Sequence, residues 1–377
     1  MKTGIVVIRP QSKHVKNIGD YIQPVAAMQY FDNIDYYIDR EDLYCFNSSN
    51  RQNVKVIICG TYVWDSAHWP PSEDIEPLFI SMHIFPMAEK ELFSESNIAY
   101  WKEHAPIGCR DIGTYRMFKK RNIPAYYSSC ITLTLGDKYK FTGERRGYCF
   151  VDPYIPLPLF KDGASFRKIQ YSEIIPFAIR YLKYKPKVNK LIQNEFFSLY
   201  GPNWGHSHYK GIKLFFMKRY HALQFYFLYS QIFSDEILFN AEYITHMYRL
   251  RKDQTESDKD LLAIAEELIE KYAQFKMVVT SRIHAALPCL GLETPVIFCL
   301  NSEMESNSIK FNTPGRFEGI IDLFRILKIG KDKISTDDDL LKKVGKIDKS
   351  TVISNKSDYK KYATDLKNRI HSFVHKF

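Results

Sequence analysis

The chain has 377 residues, of which 45% are hydrophobic and 25% are charged, a composition that excludes a disordered chain and a polytopic membrane protein. No apolar run reaches the roughly 18 residues that a transmembrane helix needs, and the apolar run near the N-terminus is too short for a signal peptide, so we expect a soluble protein of two or three domains. The formal charge of +10 favours anionic partners such as phosphorylated metabolites, lipid headgroups or nucleic acid, although lysine-rich surfaces also simply raise solubility.

The first 145 residues alternate short β-rich runs with helical patterns, which is typical of a parallel sheet covered by helices on both faces. The predicted strands are Gly4–Arg9, Val54–Gly60, Pro77–His83, Pro106–Cys109 and Ala125–Tyr127. The predicted helices are Gly19–Phe31, Glu89–Glu103 and Ile112–Arg121. The segment 136–147 is polar, basic and punctuated by glycine, and it marks the first domain boundary.

A second α/β unit begins with the predicted strand Tyr148–Asp152. Its middle, roughly residues 165–250, is aromatic and is predicted to be helical, except for a glycine- and histidine-rich loop at 201–211. From Ser257 onwards the apolar residues recur at helical spacing. The elements predicted after that helix are a strand, a helix, a strand and a final helix, at Lys276–Thr280, Arg282–Leu292, Pro295–Leu300 and around Lys356–His375.

These elements predict an α/β fold with two Rossmann-like domains that face each other across a cleft. We place the domains at residues 1–145 and 146–330, followed by a basic tail, 331–377, that contains the C-terminal helix. Sheets of this kind bind ligands at the carboxyl ends of their strands, usually near helix N-termini. Polar residues at those positions are therefore the candidates for a functional site.

The seven cysteines are odd in number, scattered and never arranged as Cys-x-x-Cys. Most lie inside apolar runs, as Cys59 does in VKVIICG, and this is typical of reduced cysteines in a hydrophobic core. We therefore expect a cytosolic protein.

The sharpest local pattern is KMVVTSRIHAALPCLGLETPVIF, residues 276–298. A short apolar strand ends at Thr280, and Arg282 and His284 follow as a helix begins. A cation, an imidazole and free backbone N–H groups thus meet at one turn, which suits a carboxylate or a phosphate. The alternative is that Ser281 only caps the helix and that the arginine and histidine are surface residues.

Two further turns have a similar arrangement. Arg110 and Asp111 follow a predicted strand and begin a helix, and the alternative there is a capping aspartate beside a solvent-exposed arginine. The segment 17–20, Asn-Ile-Gly-Asp, follows the first strand at the position of a phosphate-binding turn. Because the fingerprint Gly-x-Gly-x-x-Gly is missing, NAD or FAD binding is not expected.

Several other catalytic motifs are absent from the sequence, namely the P-loop, the Gly-x-Ser-x-Gly elbow and the His-Glu-x-x-His zinc helix. His206 and His208 could share a metal ion, but no set of carboxylates or cysteines lies near them in sequence, so no metal site is expected. The basic surplus lacks an RNA- or DNA-binding motif, so nucleic acid is not an expected partner.

Taken together, three of these segments resemble the polysaccharide pyruvyl transferase family. The matching residues are Asn17–Asp20 with Gln23, Ile107–Asp111 and Val278–Ala285. Three other stretches, Trp69–Ser72, Pro77–Ile84 and Gly315–Leu323, resemble a branch of the family found in bacterial capsule and exopolysaccharide gene clusters. The similarity spans roughly residues 4–325. Where much of the family has an Asp-Pro-Thr-like turn, this chain has Ser128–Thr134, which leaves Thr132 as the nearest match.

The resemblance implies a fold similar to that of the two-domain GT-B glycosyltransferases. It also implies transfer of the enolpyruvyl unit of phosphoenolpyruvate to two hydroxyls of one sugar, giving a cyclic pyruvate ketal and phosphate. The polyanionic donor needs arginines. The candidate donor-binding residues are Arg282, Arg110, Ser281, Asn17 and Gly19.

The same resemblance implies roles for histidines. Protonation of the donor's methylene carbon needs a positioned acid near neutral pH, and a reference pKa of about 6.5 suits histidine for this. We assign this role to His284, and we assign the deprotonation of the attacking hydroxyl to His83. The second hydroxyl displaces phosphate and closes the ring, so no metal or organic cofactor is required. The residues expected to contact the acceptor or support the site are Asp20, Gln23, Asp111 and His246.

The expected acceptor is a sugar within a capsule or exopolysaccharide repeat, free or attached to a polyprenyl diphosphate. The positive charge and the aromatic middle section would suit peripheral contact with the inner face of the cytoplasmic membrane, but a solvated surface would have the same charges. Two alternatives remain open. One is a GT-B-type glycosyltransferase that uses a nucleotide sugar, with Glu303 and Glu305 as candidates to hold the ribose. The other is a non-catalytic protein that binds a sugar or an anion within a biosynthetic complex.

Overall fold

Two six-stranded sheets form the framework of the protein in a computed structural model that describes residues 2–9, 15–62, 68–160, 169–193, 211–249, 257–302 and 317–376. The strands are β1 (Lys2–Val7), β2 (Val15–Asn17), β3 (Tyr36–Asp39), β4 (Val54–Tyr62), β5 (Ile75–Ile84), β6 (Ile107–Cys109), β7 (Ala125–Tyr127), β8 (Tyr148–Val151), β9 (Glu242–Ile244), β10 (Met247–Arg249), β11 (Met277–Thr280), β12 (Val296–Asn301), β13 (Arg325–Ile329) and β14 (Ile334–Ser335). The α-helices are α1 (Ile22–Met28), α2 (Glu89–Leu92), α3 (Glu95–Glu103), α4 (Ile112–Lys119), α5 (Gly136–Tyr139), α6 (Ile174–Gln193), α7 (Gly211–Tyr229), α8 (Asp235–Asn240), α9 (Asp258–Gln274), α10 (Ile283–Gly291), α11 (Asp339–Val344) and α12 (Tyr359–Val374). Short 3-10 helices span Ile18–Tyr21, Arg40–Cys45, Ser49–Arg51, Pro86–Ala88, Ile131–Thr134, Tyr171–Glu173 and Ile321–Leu323.

The strand order confirms the predicted α/β class. The first sheet has the order β3-β1-β4-β5-β6-β7 with parallel pairs, and the second has the order β14-β13-β12-β11-β8-β9, parallel except for the edge strand β14. Helices cover both faces of such sheets, so their central strands are apolar throughout instead of alternating, as VKVIICG in β4 and MVVT in β11 are.

Helix α9 shows how the local sequence sets an element. The Ser257 hydroxyl accepts a hydrogen bond from the backbone N–H of Asp260, and the Asp260 carboxylate accepts one from the backbone N–H of Ser257, which together form a capping box. Leu261, Ala265 and Ile269 then recur four residues apart on the buried face. The helix predicted after Ser257 is therefore confirmed.

Other predicted elements differ from the structure. The single helix predicted over Glu89–Glu103 is two helices, because Ser94 is extended and the Trp101 indole N–H donates to the Leu92 carbonyl at the end of α2, at 2.8 Å. Strands β2, β3, β9, β10, β13 and β14 were not predicted. A run of two to five residues has no clear periodicity, so its pairing with a neighbouring strand decides its state.

Several sequence interpretations concern residues outside the described ranges. These are residues 201–210 of the loop predicted at 201–211, the histidine pair His206 and His208, the candidate ribose carboxylates Glu303 and Glu305, and the residues Gly315 and Arg316 of the resemblance.

The two halves share one hydrophobic core. Helix α1 of the first half packs on α9 of the second, and α10 packs on the 3-10 helix Ile131–Thr134. At Gly291 a Cβ atom would lie 2.3 Å from the carbonyl oxygen of Thr132, so only glycine allows the two backbones to approach this closely. Thr132 is buried at this contact, with its hydroxyl 3.3 Å from the Cys130 sulfur.

The C-terminal helix α12 returns to the first half. It packs on the 3-10 helix Ile131–Thr134, and the buried ammonium group of Lys55 in β4 donates to the carbonyls of Phe373 and Val374 at 2.9 and 3.3 Å. A cation at this end of a helix satisfies carbonyls that lack intrahelical partners and opposes the helix dipole. Within the described ranges, no helix is both long enough and apolar enough to cross a bilayer.

Candidate active site

An antiparallel strand pair joins the two halves beside the carboxyl ends of their sheets. Strand β2, which precedes the first 3-10 helix, pairs with β10, which follows β9 of the second sheet. Next to this pair, the backbone N–H of Ile18 donates to the carbonyl of His246 at 2.8 Å. The turn at 17–20 is thereby held against the second half.

Gly19 provides the space for two histidines at this junction. A Cβ atom at Gly19 would lie 2.5 Å from Nδ1 of His246 and 3.1 Å from Cβ of His284. Both distances are shorter than ordinary van der Waals contact, so any side chain here would displace the imidazoles. The need for glycine at this position therefore comes from close packing across the two halves.

Asp20 and His284 form an ion pair between the halves. Oδ1 of Asp20 lies 3.2 Å from Nδ1 of His284 and also accepts a hydrogen bond from the Asn17 side-chain amide at 3.0 Å. Burial by itself raises the pKa of the Asp20 carboxyl, but the hydrogen bond and charge of His284 outweigh burial and the pKa is lowered. Asp20 is therefore an ionised partner for the imidazole.

Asp152, at the end of β8, organises the second half of the site. Its Oδ2 accepts hydrogen bonds from Nε of Arg282 and from the backbone N–H of His246, both at 3.0 Å. Its backbone carbonyl accepts one from the Ser281 hydroxyl. Sequence reasoning missed this residue, although a carboxylate at the end of the predicted strand Tyr148–Asp152 was an available signal.

The 280–284 turn differs in detail from both sequence interpretations. Arg282, not Ser281, is the N-cap residue of α10, and its backbone N–H donates to the Thr280 hydroxyl at 2.9 Å. The proposed capping role of Ser281 is wrong, because its hydroxyl bonds to the Asp152 carbonyl. The Arg282 side chain is 37% exposed, and within the described residues its one hydrogen-bond partner is Asp152. Its two terminal nitrogens are available to a ligand.

Arg110 is fully buried at the carboxyl end of the first sheet. Its backbone N–H donates to the Met82 carbonyl at 2.7 Å, but none of its three guanidinium nitrogens has a hydrogen-bond partner among the described residues. Burial raises the pKa of the neighbouring Cys59 thiol, and the charge of Arg110 opposes that rise. The alternative of a solvent-exposed arginine is wrong.

A buried and unpaired guanidinium is costly, because the desolvation of a charge is normally offset by an opposite charge and hydrogen bonds. Among the described residues, no acidic side chain forms an ion pair or a hydrogen bond with the Arg110 guanidinium. The surroundings of Arg110 therefore fit a small anion as its partner.

His83 and Asp111 form a second imidazole–carboxylate pair, within the first half. Nδ1 of His83 lies 2.7 Å from Oδ2 of Asp111, and both side chains are buried. The other carboxylate oxygen of Asp111 accepts from the backbone N–H of Thr114 at 2.8 Å, so Asp111 also caps α4. The capping interpretation is confirmed, and the same carboxylate holds the His83 ring in place.

Arg40 is a further residue that sequence reasoning missed. It lies at the carboxyl end of β3, donates to the Thr61 carbonyl at 3.0 Å and contributes positive charge near Asp20. It went unnoticed because β3 itself was not predicted.

An open cavity of about 580 Å³ adjoins the start of α4. It lies between the first half, the segment 317–323 and the C-terminal helix, and Tyr127 and Tyr362 meet edge to face on its wall at 5.0 Å. The carboxylates of Asp322 and Asp358 also line it. Aromatic faces with nearby carboxylates suit a sugar ring and its hydroxyls.

We expect two buried histidines, His246 at the site and His221 in α7, to make the protein less stable in mild acid. Burial lowers the pKa of His246 to about 4, whereas the reference value for an unfolded chain is 6.5. Between these pH values the unfolded state binds one more proton than the folded state, so acidification favours unfolding, by up to about 3 kcal/mol for this group. Burial lowers the pKa of His221 to about 3, which adds to the effect.

The measurement is the free energy of unfolding in urea from pH 7.5 down to pH 4.5. His246→Gln should reduce the pH dependence of the free energy of unfolding by nearly one proton. His375→Ala, which replaces an exposed histidine, should leave that dependence unchanged. Equal slopes in the wild type and His246→Gln would contradict the prediction.

Within the described residues, no group of three or more His, Cys, Asp or Glu side chains is placed to hold a metal ion. Comparison with curated proteins and with solved structures gave no match. A family model described as polysaccharide pyruvyl transferase matches residues 17–303, which is most of the chain and includes the 17–20 turn, Arg110, Asp111 and the 281–284 turn. Both imidazole–carboxylate pairs lie inside the matched region. Because that region covers most of the chain, the chain belongs to the polysaccharide pyruvyl transferase family.

Proposed function

We propose that the protein transfers the enolpyruvyl unit of phosphoenolpyruvate to two hydroxyls of one sugar, forming a cyclic pyruvate ketal and releasing phosphate. Membership of the family supports a transferase acting on polysaccharide. The observation that supports the donor most directly is the fully buried guanidinium of Arg110, which has no partner among the described residues. A second cation, Arg282, has terminal nitrogens available to a ligand. Phosphoenolpyruvate has two anionic groups, and two arginines would serve them.

In this proposal His284 protonates the methylene carbon of the donor. The neighbouring Asp20 carboxylate stabilises the imidazolium and orients the ring through Nδ1, so the proton delivered comes from the other ring nitrogen. Protonation makes the adjacent carbon electrophilic, and the first sugar hydroxyl adds to it.

His83 would take the proton of that first hydroxyl, with Asp111 fixing its ring. The second hydroxyl then attacks the same carbon, the bond from carbon to the phosphate oxygen breaks, and the hydroxyl proton leaves with phosphate. The proton on His83 returns to His284 through solvent, so the atoms and charges balance without a metal or an organic cofactor. His246, whose pKa of about 4 keeps it neutral at pH 7, would support the donor through its Nδ1 beside Gly19.

For the acceptor we propose a sugar of a capsular or exopolysaccharide precursor, free or linked to polyprenyl diphosphate. The cavity with Tyr127 and Tyr362 on its wall lies beside the helix that Asp111 caps, which supports entry of the sugar from that side. We further propose that the two sheets form the paired domains of a GT-B-like enzyme in the cytoplasm. The sheets' shared core and the return of α12 to the first half support this arrangement.

Isothermal titration calorimetry tests the donor without knowledge of the acceptor. Wild type should bind phosphoenolpyruvate saturably, and Arg282→Ala should bind it about 10- to 100-fold more weakly, because a charged hydrogen-bonding partner contributes about 1.5–3 kcal/mol. The exposed Arg146, which pairs with Glu144, provides the matched control, and Arg146→Ala should bind like the wild type.

A panel of nucleotide sugars, titrated into the same protein, separates the alternatives. Tight binding of a nucleotide sugar with no response to phosphoenolpyruvate would replace the proposal with a glycosyltransferase. Donor binding without turnover of any sugar acceptor would point to a non-catalytic protein of a polysaccharide assembly complex.

A further inference from the structure

Helices α6 and α7 are inserted between β8 and β9 of the second half, and they pack on each other through aromatic side chains. Phe177 lies 5.4 Å from Phe216 and 5.3 Å from Tyr220, and Tyr184 lies 5.4 Å from Tyr226, measured between ring centroids. These contacts use the inner face of α6. The apolar residues that remain on its outer face are not explained by the packing of the fold.

That outer face is unusually apolar for an exposed helix. Ile175, Ile179 and Leu182 of α6, together with Tyr171 in the 3-10 helix just before it, recur at intervals of four, four and three residues and are between 62% and 83% exposed. This spacing places them in one stripe along the helix. Ile212 and Phe215, in the first turns of α7, are exposed as well. Of the ten exposed large apolar side chains among the described residues, seven belong to segment 171–215, so they form a patch, and such patches mark interaction sites.

The same two helices contain most of the protein's excess positive charge. Helix α6 has five Lys or Arg residues, α7 has three, and neither has an acidic residue, against a net charge of +10 for the whole chain. Arg180 and Lys187 pair with acidic residues of neighbouring elements, Asp332 and Asp235. The exposed lysines nearest the stripe, at its C-terminal end, are Lys183, Lys185 and Lys190.

We propose that the outer face of α6 and the first turns of α7 form a membrane-binding surface that lies on a bilayer containing anionic lipids. Apolar side chains at the headgroup boundary leave water, and the lysines beside them are attracted to the negative surface. A second copy of the chain is a poorer occupant, because two such faces would bring the exposed Lys183, Lys185 and Lys190 of both copies together, and neither helix has an acidic residue to offset them.

The surface follows from exposure and charge alone, and only its purpose rests on the proposed function. If the acceptor sugar is attached to a polyprenyl diphosphate, contact with the bilayer places the enzyme where that lipid is. Vesicle binding is measured without donor or acceptor, so its failure and the failure of phosphoenolpyruvate binding can be told apart.

Co-sedimentation with vesicles tests the proposal on the full chain. Wild type should bind vesicles of phosphatidylcholine with phosphatidylglycerol, should bind pure phosphatidylcholine vesicles much more weakly, and should lose affinity as salt rises. The double variant Ile175→Glu, Leu182→Glu should bind anionic vesicles at least about tenfold more weakly, since it replaces apolar contact with repulsion. Lys183→Glu with Lys185→Glu should lose the preference for anionic lipid.

The matched control is Met87→Glu with Val352→Glu, which changes two exposed apolar residues outside the patch and should bind like the wild type. All these side chains are exposed, so thermal unfolding and the circular dichroism spectrum should be unchanged, which shows that each variant is folded. Wild type that stays in solution with anionic vesicles, or a double variant that binds them equally well, would overturn the proposal. A concentration-dependent dimer that the Ile175→Glu, Leu182→Glu variant abolishes, without vesicle binding, would show that the patch joins two copies instead.

Discussion

Replacing Arg110 with methionine should stabilise the ligand-free protein and abolish binding of phosphoenolpyruvate. The guanidinium is fully buried and has no hydrogen-bond partner among the described residues. The free-energy cost of removing its charge from water is therefore not offset in the ligand-free protein. Methionine fills similar volume without charge, and we expect an increase of about 1–3 kcal/mol in the free energy of unfolding. The donor loses its most buried cation, which should weaken binding by about 100-fold or more.

Differential scanning calorimetry and titration calorimetry measure the two effects on the same samples. Arg110→Lys is the informative companion, because it keeps the charge but loses the planar fork of donors. It should weaken donor binding without raising stability. Arg146→Met, at an exposed arginine, should change neither quantity. A destabilised Arg110→Met protein that still binds phosphoenolpyruvate would show that the guanidinium is structural.

Removing the imidazole of His284 should abolish turnover while leaving donor binding intact. A general acid contributes about 10²- to 10⁴-fold to a rate, and we expect a fall in kcat of that size for His284→Ala. The ring does not need to hold the donor's anionic groups, which the arginines would bind. Phosphate release from phosphoenolpyruvate in the presence of the sugar acceptor measures turnover, and calorimetry measures binding.

Asp20→Asn is the sharper test of the pair, because it keeps the shape and removes the charge. Without the carboxylate, the protonated form of His284 loses its counter-ion, so kcat should fall by about 10²-fold and the alkaline limb of the pH–rate profile should move to lower pH. A merely structural role for Asp20 would lower activity evenly at every pH.

His375→Ala, which replaces an exposed histidine, is the control for both variants and should keep full activity. Full activity of His284→Ala would remove His284 from the mechanism.

The parts of the fold that the sequence predicts are those determined by contacts a few residues apart. The capping box at Ser257 and Asp260 and the helical spacing that follows predict α9, and the apolar runs VKVIICG and MVVT predict buried parallel strands. The turns containing Gly19, Arg110 and the Ser-Arg-x-His block were predicted for the same reason, since each is a strand end followed by a helix start. The resemblance to the family rested on these turns and is confirmed.

Only the tertiary structure decides how these turns meet. Asp20 and His284 come from different sheets, and their 3.2 Å contact depends on the β2–β10 pair and the close packing at Gly19. Asp152 stands at the end of a predicted strand, but only the structure shows that it holds both Arg282 and the backbone of His246.

The sequence also could not show which of the charged side chains are buried or paired. An arginine at a helix start is usually solvated, and the burial of Arg110 results from the strands and turns packed around it, none of which can be read from its neighbours in the chain. The sequence by itself determined which residue types stand at the ends of the strands, because strand and helix signals are local. Which of them are paired, buried or neutral was decided by long-range packing, because desolvation and ion pairing depend on residues far away in the chain.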